Sequence, residues 1–356
     1  MRGRYRLWLV GGVVMVVAAV VAVVVLVNVG PGARVPRSGP PGGGPPTVVA
    51  MGDSIMAGEG AGDYTVETNG HHDDWCHRSP HAAVHRVRLP GVTASVNLAC
   101  SGAPSAHVAL GDTTQWTEPS QARQLARLTG THRISTVLVT VGANDDPRFS
   151  RLMSDCLGAW LRDQPPCGHA IRKDWRQRLA AMVPKVAAAL RDVRTVLRDA
   201  GYERADYDLV LLSYPSPLSP AIPEHLRSLD GCPFHREDLR WIHGPAVESL
   251  SASLREAANR VDARFVDLSA AGRGHEACTG GDEWFTRLTV DWDAFEHVQR
   301  ADHATQDSFH PNAAGHGQLA RCLTEFLPTG RPAGACAPAP DGALRSGAPH
   351  SSAHPR

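Results

Sequence analysis

Residues 47–60 read TVVAMGDSIMAGEG, a short apolar run that ends in a glycine, an acid and a serine. Branched and apolar residues from Thr47 to Met51, followed at once by glycine, are typical of a buried strand in a parallel sheet. Gly52 permits the tight turn that such a strand needs at its end. Ser54 then has two interpretations, as the N-cap of a helix or as a nucleophile at the strand end. Residues elsewhere in the chain decide between them.

Four further segments have the same character as Thr47 to Met51. They are short, rich in branched residues and followed by glycine, serine, proline or a polar turn: Val92 to Leu98, Thr136 to Val141, Asp208 to Ser213 and Arg264 to Leu268. Helical stretches separate them, which indicates a parallel sheet covered on both faces. The sequence therefore predicts one α/β domain over residues 47–328, with three α/β/α layers and about five strands. Ligands bind at the carboxyl ends of the strands in such sheets.

For two helices of this domain the sequence also predicts the first and last residues. Apolar residues recur at helical spacing from Asp174 to Asp199, and Pro184 inside this run predicts a kink or two consecutive helices. Gln318 to Leu327 is predicted as the last helix, with a start near Pro311 and Asn312.

A serine, a glycine and an asparagine follow three of the predicted strands, and an acid and a histidine precede the last helix. Ser54, Gly102 and Asn144 come after the first, second and third strands, and Asp307 stands three residues before His310. Each has an ordinary structural explanation, such as a cap, a turn or a positive φ. Together they match the requirements of acyl transfer, because a serine needs a base to take its proton and a carboxylate to orient that base.

These blocks, in this order, resemble the GDSL or SGNH hydrolase family of esterases, lipases and related acyl hydrolases. The resemblance covers roughly Val48 to Leu327 and implies a flavodoxin-like fold. It implies that Ser54 is the nucleophile, His310 the base and Asp307 its orienter. It also implies an oxyanion hole made by Ser54, Gly102 and Asn144. The run Cys76-His77-Arg78-Ser79 looks like that of secreted actinobacterial members.

One residue departs from the family pattern, and the identity of the acid that orients His310 has alternatives. Ile55 stands where the family name expects leucine, a conservative change that leaves the nucleophile in place. In some actinobacterial relatives a backbone carbonyl replaces the acid. Asp307 occupies the family position, so a full triad is expected, with Asp291 or Asp293 as alternative carboxylates.

The N-terminus predicts a membrane-directed segment. Arg2, Arg4 and Arg6 precede 23 uncharged residues, 7–29, long enough to cross a bilayer as a helix. An uncleaved signal anchor is favoured over a cleaved signal peptide, with residues 1–6 in the cytoplasm and the rest outside. Residues 30–46 are predicted to be a Gly/Pro-rich linker. Residues 329–356 are predicted to be a low-complexity C-terminal tail.

Eight cysteines fit an exported domain, because an even count is what a disulfide framework needs. Eight cysteines allow 105 pairings, of which loop length alone favours the sequential one. The sequential pairs are Cys76 with Cys100, Cys156 with Cys167, Cys232 with Cys278 and Cys322 with Cys336. Eight scattered buried thiols are the alternative.

Charge and histidine content exclude other classes of function. Basic and acidic residues both number 36, so no net charge attracts a nucleic acid. The run His71-His72-Asp73-Asp74 is not expected to bind a metal, because adjacent residues rarely converge on one ion. His303 and His316 lack an acid three residues before them and are interpreted as solvated or helix-surface residues. No cofactor or metal is expected.

The sequence therefore predicts a monomeric extracytoplasmic serine esterase or lipase, tethered to the membrane or secreted, that acts on a lipid or acylated small molecule. An O-acetyl esterase of cell-wall or plant polysaccharide and an acyltransferase are the alternatives within the enzymes. A surface-anchored binding module on the same fold is the non-enzyme alternative. Trp284 and Trp292 are predicted either to line an acyl pocket or to pack in the core or a lid.

Overall fold

The computed structural model of the protein describes residues 41–292 and 303–349. The predicted anchor or signal peptide at 7–29, the start of the predicted linker and Asp293 lie outside the described residues. Among the helices that are described, none combines the length and the apolar character needed to span a bilayer.

A seven-stranded sheet forms the centre of the described structure. Its strands are β1 (Pro46–Gly52), β2 (Ala94–Asn97), β5 (Arg133–Thr140), β6 (Asp208–Leu212), β7 (Arg264–Asp267), β8 (Ala333–Pro338) and β9 (Leu344–Gly347). The short strands β3 (Thr114–Gln115) and β4 (Glu118–Pro119) form a separate hairpin. The sheet order is β2-β1-β5-β6-β7-β8-β9, with parallel pairing up to β8 and antiparallel pairing of β9. The predicted strands and the α/β class are confirmed.

Strand β1 lies inside the sheet, and its register brings the carboxyl ends of three strands to one edge. Ala50 pairs with Asn97 on β2 and with Leu138 on β5, and Gly52 pairs with Thr140. Parallel strands end at the same edge, so the residues that follow β2, β1 and β5 meet there.

Helices cover both faces of the sheet. They are α1 (Ser54–Ala57), α2 (Ala83–Arg86), α3 (Ser105–Val108), α4 (Gln121–Leu128), α5 (Phe149–Leu161), α6 (Gly168–Ile171), α7 (Trp175–Asp199), α8 (Arg236–Trp241), α9 (Val247–Asn259) and α10 (Ala313–Phe326). A π-helical stretch, Ile242–Ala246, joins α8 to α9. Helix α7 packs against α4 and α9, whereas α10 packs against α2 and β9. These two groups are the outer layers of the fold.

Helix α7 is one continuous helix, not two consecutive helices. Pro184 lies inside it on the exposed side. Its neighbours Met182, Val183 and Val186 are 0–2% exposed and pack in the core. The buried face holds the helix together across the proline, although the proline removes one backbone hydrogen bond. The last helix, α10, begins at Ala313 with Asn312 as its N-cap, which confirms the predicted start near Pro311 and Asn312.

The predicted low-complexity tail is in part wrong, because residues 333–347 add two strands to the sheet. Strand β8 pairs with β7, and β9 folds back on β8. The residues of Ala333–Pro338 are small and show no pattern of branched apolar residues, so the sequence did not predict this strand. Cys336 is bonded to Cys322 on α10, and Leu344 is 1% exposed.

The eight cysteines form four disulfides in sequential order: Cys76–Cys100, Cys156–Cys167, Cys232–Cys278 and Cys322–Cys336. These are the pairs that loop length favoured. The first of them joins two segments that border the edge of the sheet, where the Ser101 N–H also donates to the Cys76 carbonyl at 3.2 Å.

Candidate active site

Ser54 stands at the carboxyl end of β1, after a turn that requires glycine. Gly52 has a φ of +121°, and a Cβ on it would lie 1.9 Å from the Thr140 carbonyl oxygen. The Asp53 N–H donates to that carbonyl at 2.9 Å, and the Asp53 carboxylate accepts from the Ile55 N–H at 3.2 Å. Asp53 is therefore the N-cap of α1, and the Ser54 hydroxyl is left available for chemistry.

His310 reaches Ser54 from the loop before α10. Its Nε2 lies 2.9 Å from the Ser54 Oγ. Thr286 holds the loop, because its N–H donates to the His310 carbonyl at 2.9 Å and its hydroxyl accepts from the His310 N–H at 3.2 Å. Burial lowers the pKa of His310 below its ordinary value. The imidazole is therefore neutral at pH 7, the state that a general base needs.

The partner that orients His310 differs from the predicted one. Its Nδ1 lies 3.1 Å from the Ser308 carbonyl oxygen. The Asp307 carboxylate instead accepts a hydrogen bond of 2.6 Å from the Tyr64 hydroxyl. Phe309 has a φ of 62°, so the chain turns sharply between Asp307 and His310, and the imidazole faces its own loop. The structure does not form the expected hydrogen bond between His310 and Asp307.

Gly102 and Asn144 lie at the same edge as Ser54. Gly102 follows β2 and has a φ of +78°, a conformation that favours glycine. Asn144 follows β5, and its Oδ1 accepts from the Ser150 hydroxyl at 3.1 Å. Its Nδ2 lies 3.4 Å from the Ala103 carbonyl oxygen and 3.5 Å from Asp53 Oδ2, two long and therefore weak hydrogen bonds that a closer acceptor on a ligand can replace.

Ser54, Gly102, Asn144 and His310 border one cavity of about 380 Å³. Its apolar walls come from α5 and from the segment before α10: Phe149, Met153, Leu157, Phe285, Leu288 and Phe309. The α5 residues are spaced by four and therefore share one face of the helix. Trp116, from the turn between β3 and β4, is a further lining residue and is 46% exposed.

The two tryptophans singled out in the sequence do not line this cavity. Trp284 is 2% exposed and stacks on His275, with 3.8 Å between ring centroids, so it packs in the core. Trp292 is 74% exposed.

Asp53 connects the turn at Ser54 to the loop after β5. Its side chain is buried and accepts a hydrogen bond of 2.5 Å from the Tyr214 hydroxyl. That hydroxyl in turn accepts from the Ala143 N–H at 3.2 Å. Burial raises the pKa of Asp53 to about 7, although the Tyr214 hydrogen bond acts in the opposite direction. Asp53 is thus a structural link as well as a helix cap.

Glu59 is a buried acid at the site, and its sequence context did not predict a role for it. Its Oε1 lies 2.9 Å from His77 Nδ1, and its Oε2 accepts from the Ser101 hydroxyl at 2.5 Å and from the Gln306 amide at 2.8 Å. Burial would raise its pKa, but the hydrogen bond and charge of His77 hold the pKa of Glu59 at about 2. The only signal in the sequence was an acid between two glycines, five residues after Ser54.

Two histidines were interpreted wrongly as solvated or helix-surface residues. His316 is 0% exposed, and its Nδ1 accepts from the Ala83 N–H at 3.3 Å. His303 borders the cavity and stacks on Trp75, with 4.0 Å between ring centroids. Asp291, an alternative orienting acid, does not line the cavity.

Comparison with known proteins agrees with this fold. The model of the GDSL-like Lipase/Acylhydrolase family matches residues 50–318. The crystal structure of phospholipase A1 from Streptomyces albidoflavus is 22% identical, with a TM-score of 0.51, covering 76% of this chain and 94% of that one. An extracellular lipase from Streptomyces rimosus is also 22% identical, with a TM-score of 0.50 and the same coverage of both chains. Comparison with curated protein sequences gave no significant match.

The family match spans more than half of the chain and includes the Ser54 turn, Gly102, Asn144 and His310. The mostly parallel sheet with helices on both faces is that of the SGNH hydrolase fold, in agreement with the family match and the two solved structures. The chain is a carboxylic ester hydrolase that belongs to the GDSL-like lipase/acylhydrolase family.

Proposed function

We propose that the protein hydrolyses carboxylic esters through an acyl-enzyme on Ser54, with His310 as the general base. The observation that carries this proposal is the 2.9 Å contact between Ser54 Oγ and His310 Nε2 at the border of the cavity. A serine hydroxyl becomes an effective nucleophile when a base within this distance accepts its proton.

The carbonyl of Ser308, rather than a carboxylate, orients the base. A carbonyl only accepts hydrogen bonds, so its 3.1 Å contact requires the proton of neutral His310 to be on Nδ1. Nε2 is then unprotonated and accepts the proton of Ser54. The proposed catalytic unit is therefore a Ser54–His310 pair with a backbone orienter, in place of the triad with Asp307.

The N–H groups of Ser54 and Gly102 and the Nδ2 of Asn144 form the proposed oxyanion hole. They follow three neighbouring strands and border the same cavity. Donors fixed before the reaction stabilise the charge that develops on the ester oxygen, which is usually the largest single contribution to catalysis of this type.

The reaction proceeds in two balanced halves. Ser54 Oγ bonds to the ester carbon and its proton moves to His310 Nε2. The carbon–alkoxy bond then breaks and the alcohol leaves with that proton. Water next attacks the acyl-enzyme and loses a proton to Nε2. Release of the acid returns the proton to Ser54.

The shape of the cavity favours acyl groups larger than acetyl. A volume of about 380 Å³ with an apolar ridge on α5 exceeds what an acetyl group fills. Each CH₂ buried there adds about 0.8 kcal/mol, or roughly a fourfold gain in binding. The O-acetyl esterase and the acyltransferase are retained as alternatives that the substrate test distinguishes.

A fluorophosphonate probe and a set of p-nitrophenyl esters test the proposal together. The wild type should be labelled at Ser54, and its kcat/KM should rise with acyl length until the cavity is filled. Ser54→Ala and His310→Ala should not be labelled, whereas Ser154→Ala, at another serine of the cavity, should keep the label. A folded wild type without label would refute the proposal. Highest activity on the acetyl ester would favour the O-acetyl esterase, and a faster turnover with an added alcohol would favour acyl transfer.

We further propose an extracytoplasmic location. Four disulfides support it, because such bonds persist in oxidising compartments. Mass mapping of native protein without reduction should recover the four linked pairs, and eight free thiols would contradict this location.

A further inference from the structure

The base proposed above becomes positively charged during the reaction, and a nearby anion would stabilise that charge. When Ser54 attacks, its proton converts His310 to an imidazolium. Nδ1 of the ring faces the Ser308 carbonyl, which carries no net charge. Glu59 and Asp307 are the two carboxylates that the structure brings to this loop.

Glu59 is held as a permanent anion. Its side chain is 0% exposed, and both of its oxygens accept hydrogen bonds, from His77, Ser101 and Gln306. A buried carboxylate is ionised when several donors replace the water it has lost. The pKa of about 2 agrees with this environment, although burial by itself would raise it.

Glu59 is also fixed close to the base. Its neighbour Gly60 packs so tightly against the loop that a Cβ there would lie 2.9 Å from the His310 Cβ. Gln306, which donates to Glu59, stands four residues before His310 in that loop. Glu59 and His310 both border the cavity. The nucleophile segment and the base loop are therefore joined through Glu59.

Asp307 is less suited to stabilise the imidazolium, because it lies beside the charged Glu59: the Tyr64 hydroxyl donates to Asp307 at 2.6 Å and lies 3.3 Å from Glu59 Oε1. Polar atoms of Asp307, Glu59 and His77 lie within 4.8 Å of one another, so the two carboxylates repel. Burial, and then the neighbouring Glu59, raise the pKa of Asp307 to about 6. In mildly acidic solution Asp307 loses its charge and Glu59 keeps it.

The other ionisable groups around His310 do not replace Glu59. Burial lowers the pKa of His316, on α10, to about 4, so this residue is neutral. Burial and the two carboxylates raise the pKa of Tyr64 well above its ordinary value. His77 opposes the effect of Glu59 on His310, but Glu59 is the larger of the two influences.

We propose that Glu59, and not Asp307, is the positioning residue whose negative charge stabilises the imidazolium of His310. This inference rests on the proposed function, since it requires His310 to act as the base. The charge acts through space and needs no hydrogen bond to Nδ1. An ion pair at a partly buried site shifts a titration by about one pH unit or more.

The test compares Glu59→Gln with the matched variant Asp307→Asn in the pH dependence of ester hydrolysis. Loss of the Glu59 charge makes His310 harder to protonate, so the acidic limb of kcat/KM should move down by about one pH unit. The imidazolium is also less stable in the transition state, so kcat should fall about tenfold. Asp307→Asn should change kcat by less than about twofold and leave the limb within about 0.3 unit.

A purely structural role of Glu59 would lower activity without moving the limb, and that result would overturn the inference. So would a limb that moves in Asp307→Asn. If Glu59→Gln does not fold, NMR titration of His310 in the wild type and in Asp307→Asn decides. Equal imidazole pKa values support the inference, and a value lower by a unit in Asp307→Asn contradicts it. Absence of fluorophosphonate labelling in the wild type would instead refute the proposed function.

Discussion

Asp53 and Glu59 lie six residues apart on either side of α1, and both are buried, yet their pKa values are shifted in opposite directions. Burial raises the pKa of Asp53 to about 7, whereas His77 and its hydrogen bond hold that of Glu59 at about 2. Asp53 accepts from neutral donors: Tyr214, the Ile55 N–H and, at 3.5 Å, Asn144 Nδ2. Glu59 has an imidazole, a hydroxyl and an amide.

The difference shows that burial alone does not decide the charge of an acid. The donors that replace water decide it, and the hydrogen bond with His77 lowers the pKa of Glu59 most. The segment of Ser54, the proposed nucleophile, therefore contains an acid that is readily protonated. The surroundings of His310, the proposed base, contain a fixed anion.

The largest effect should come from Gly52→Ala, which breaks the turn that precedes both acids. The new Cβ would lie 1.9 Å from the Thr140 carbonyl at a φ of +121°. Clash and strain together should cost about 4 kcal/mol of unfolding free energy or more, measured by urea denaturation. Gly62→Ala is the control, because Gly62 has a φ of +72° with no atom within 4 Å of the new Cβ. It should lose only about 1 kcal/mol, and equal losses would show that the clash is relieved.

Asp53→Asn should remove the pH dependence of stability that comes from the titration of Asp53. The folded-state pKa of about 7 lies above the ordinary 3.8, so the wild type loses stability as pH rises from 4 to 7. Asparagine does not titrate and still caps the helix. The stability of Asp53→Asn relative to wild type should therefore rise over this range by about 3 kcal/mol, measured by urea denaturation at several pH values.

Glu59→Gln should change the pH dependence of stability in the direction opposite to Asp53→Asn. The pKa of Glu59 lies below its ordinary value, so its charge stabilises the fold above pH 4.5, and this contribution is lost as pH falls toward 2. The variant should therefore lose stability relative to wild type as pH rises from 2 to 5. The same sign in both variants would contradict the contrast between the two acids.

Gly60→Ala should act mainly on the base side and have the smallest energetic effect. A Cβ at Gly60 would lie 2.9 Å from the His310 Cβ, at a φ of +82°. Moving His310 away from Ser54 should lower kcat about tenfold to a hundredfold, equal to about 2 kcal/mol. Steady-state kinetics and the rate of fluorophosphonate labelling measure this, with Gly62→Ala as the control. Unchanged kcat would show that the loop adapts.

The strands and the order of the site residues could be predicted because both depend on local sequence. Branched apolar runs identify β1, β5, β6 and β7, and parallel strands end at one edge, so Ser54, Gly102 and Asn144 were expected to meet. The predicted strand limits agree with the structure to within a few residues. The small residues of β8 gave no such pattern, and its place depends on pairing with β7 and on the bond between Cys322 and Cys336.

The surroundings of the base could not be predicted from spacing. Asp307 stands three positions before His310, a spacing that permits a hydrogen bond, but the positive φ of Phe309 and the Tyr64 hydroxyl direct the two side chains apart. The position of Glu59 between two glycines did not indicate its role, because its partners His77, Ser101 and Gln306 stand between 18 and 247 positions away.

The sequence by itself determined the class of fold, the family and the residues that border the candidate site, because hydrophobic pattern and strand direction are local properties. Only the tertiary structure decided which carboxylate is charged and which group orients His310. Those outcomes depend on the donors, the dielectric surroundings and the backbone turns that distant segments bring together. In MGDSIMAGEG, the position of Ser54 directly after a strand and a glycine made it the candidate nucleophile. The role proposed for Glu59 depends on residues that only the fold brings close to it.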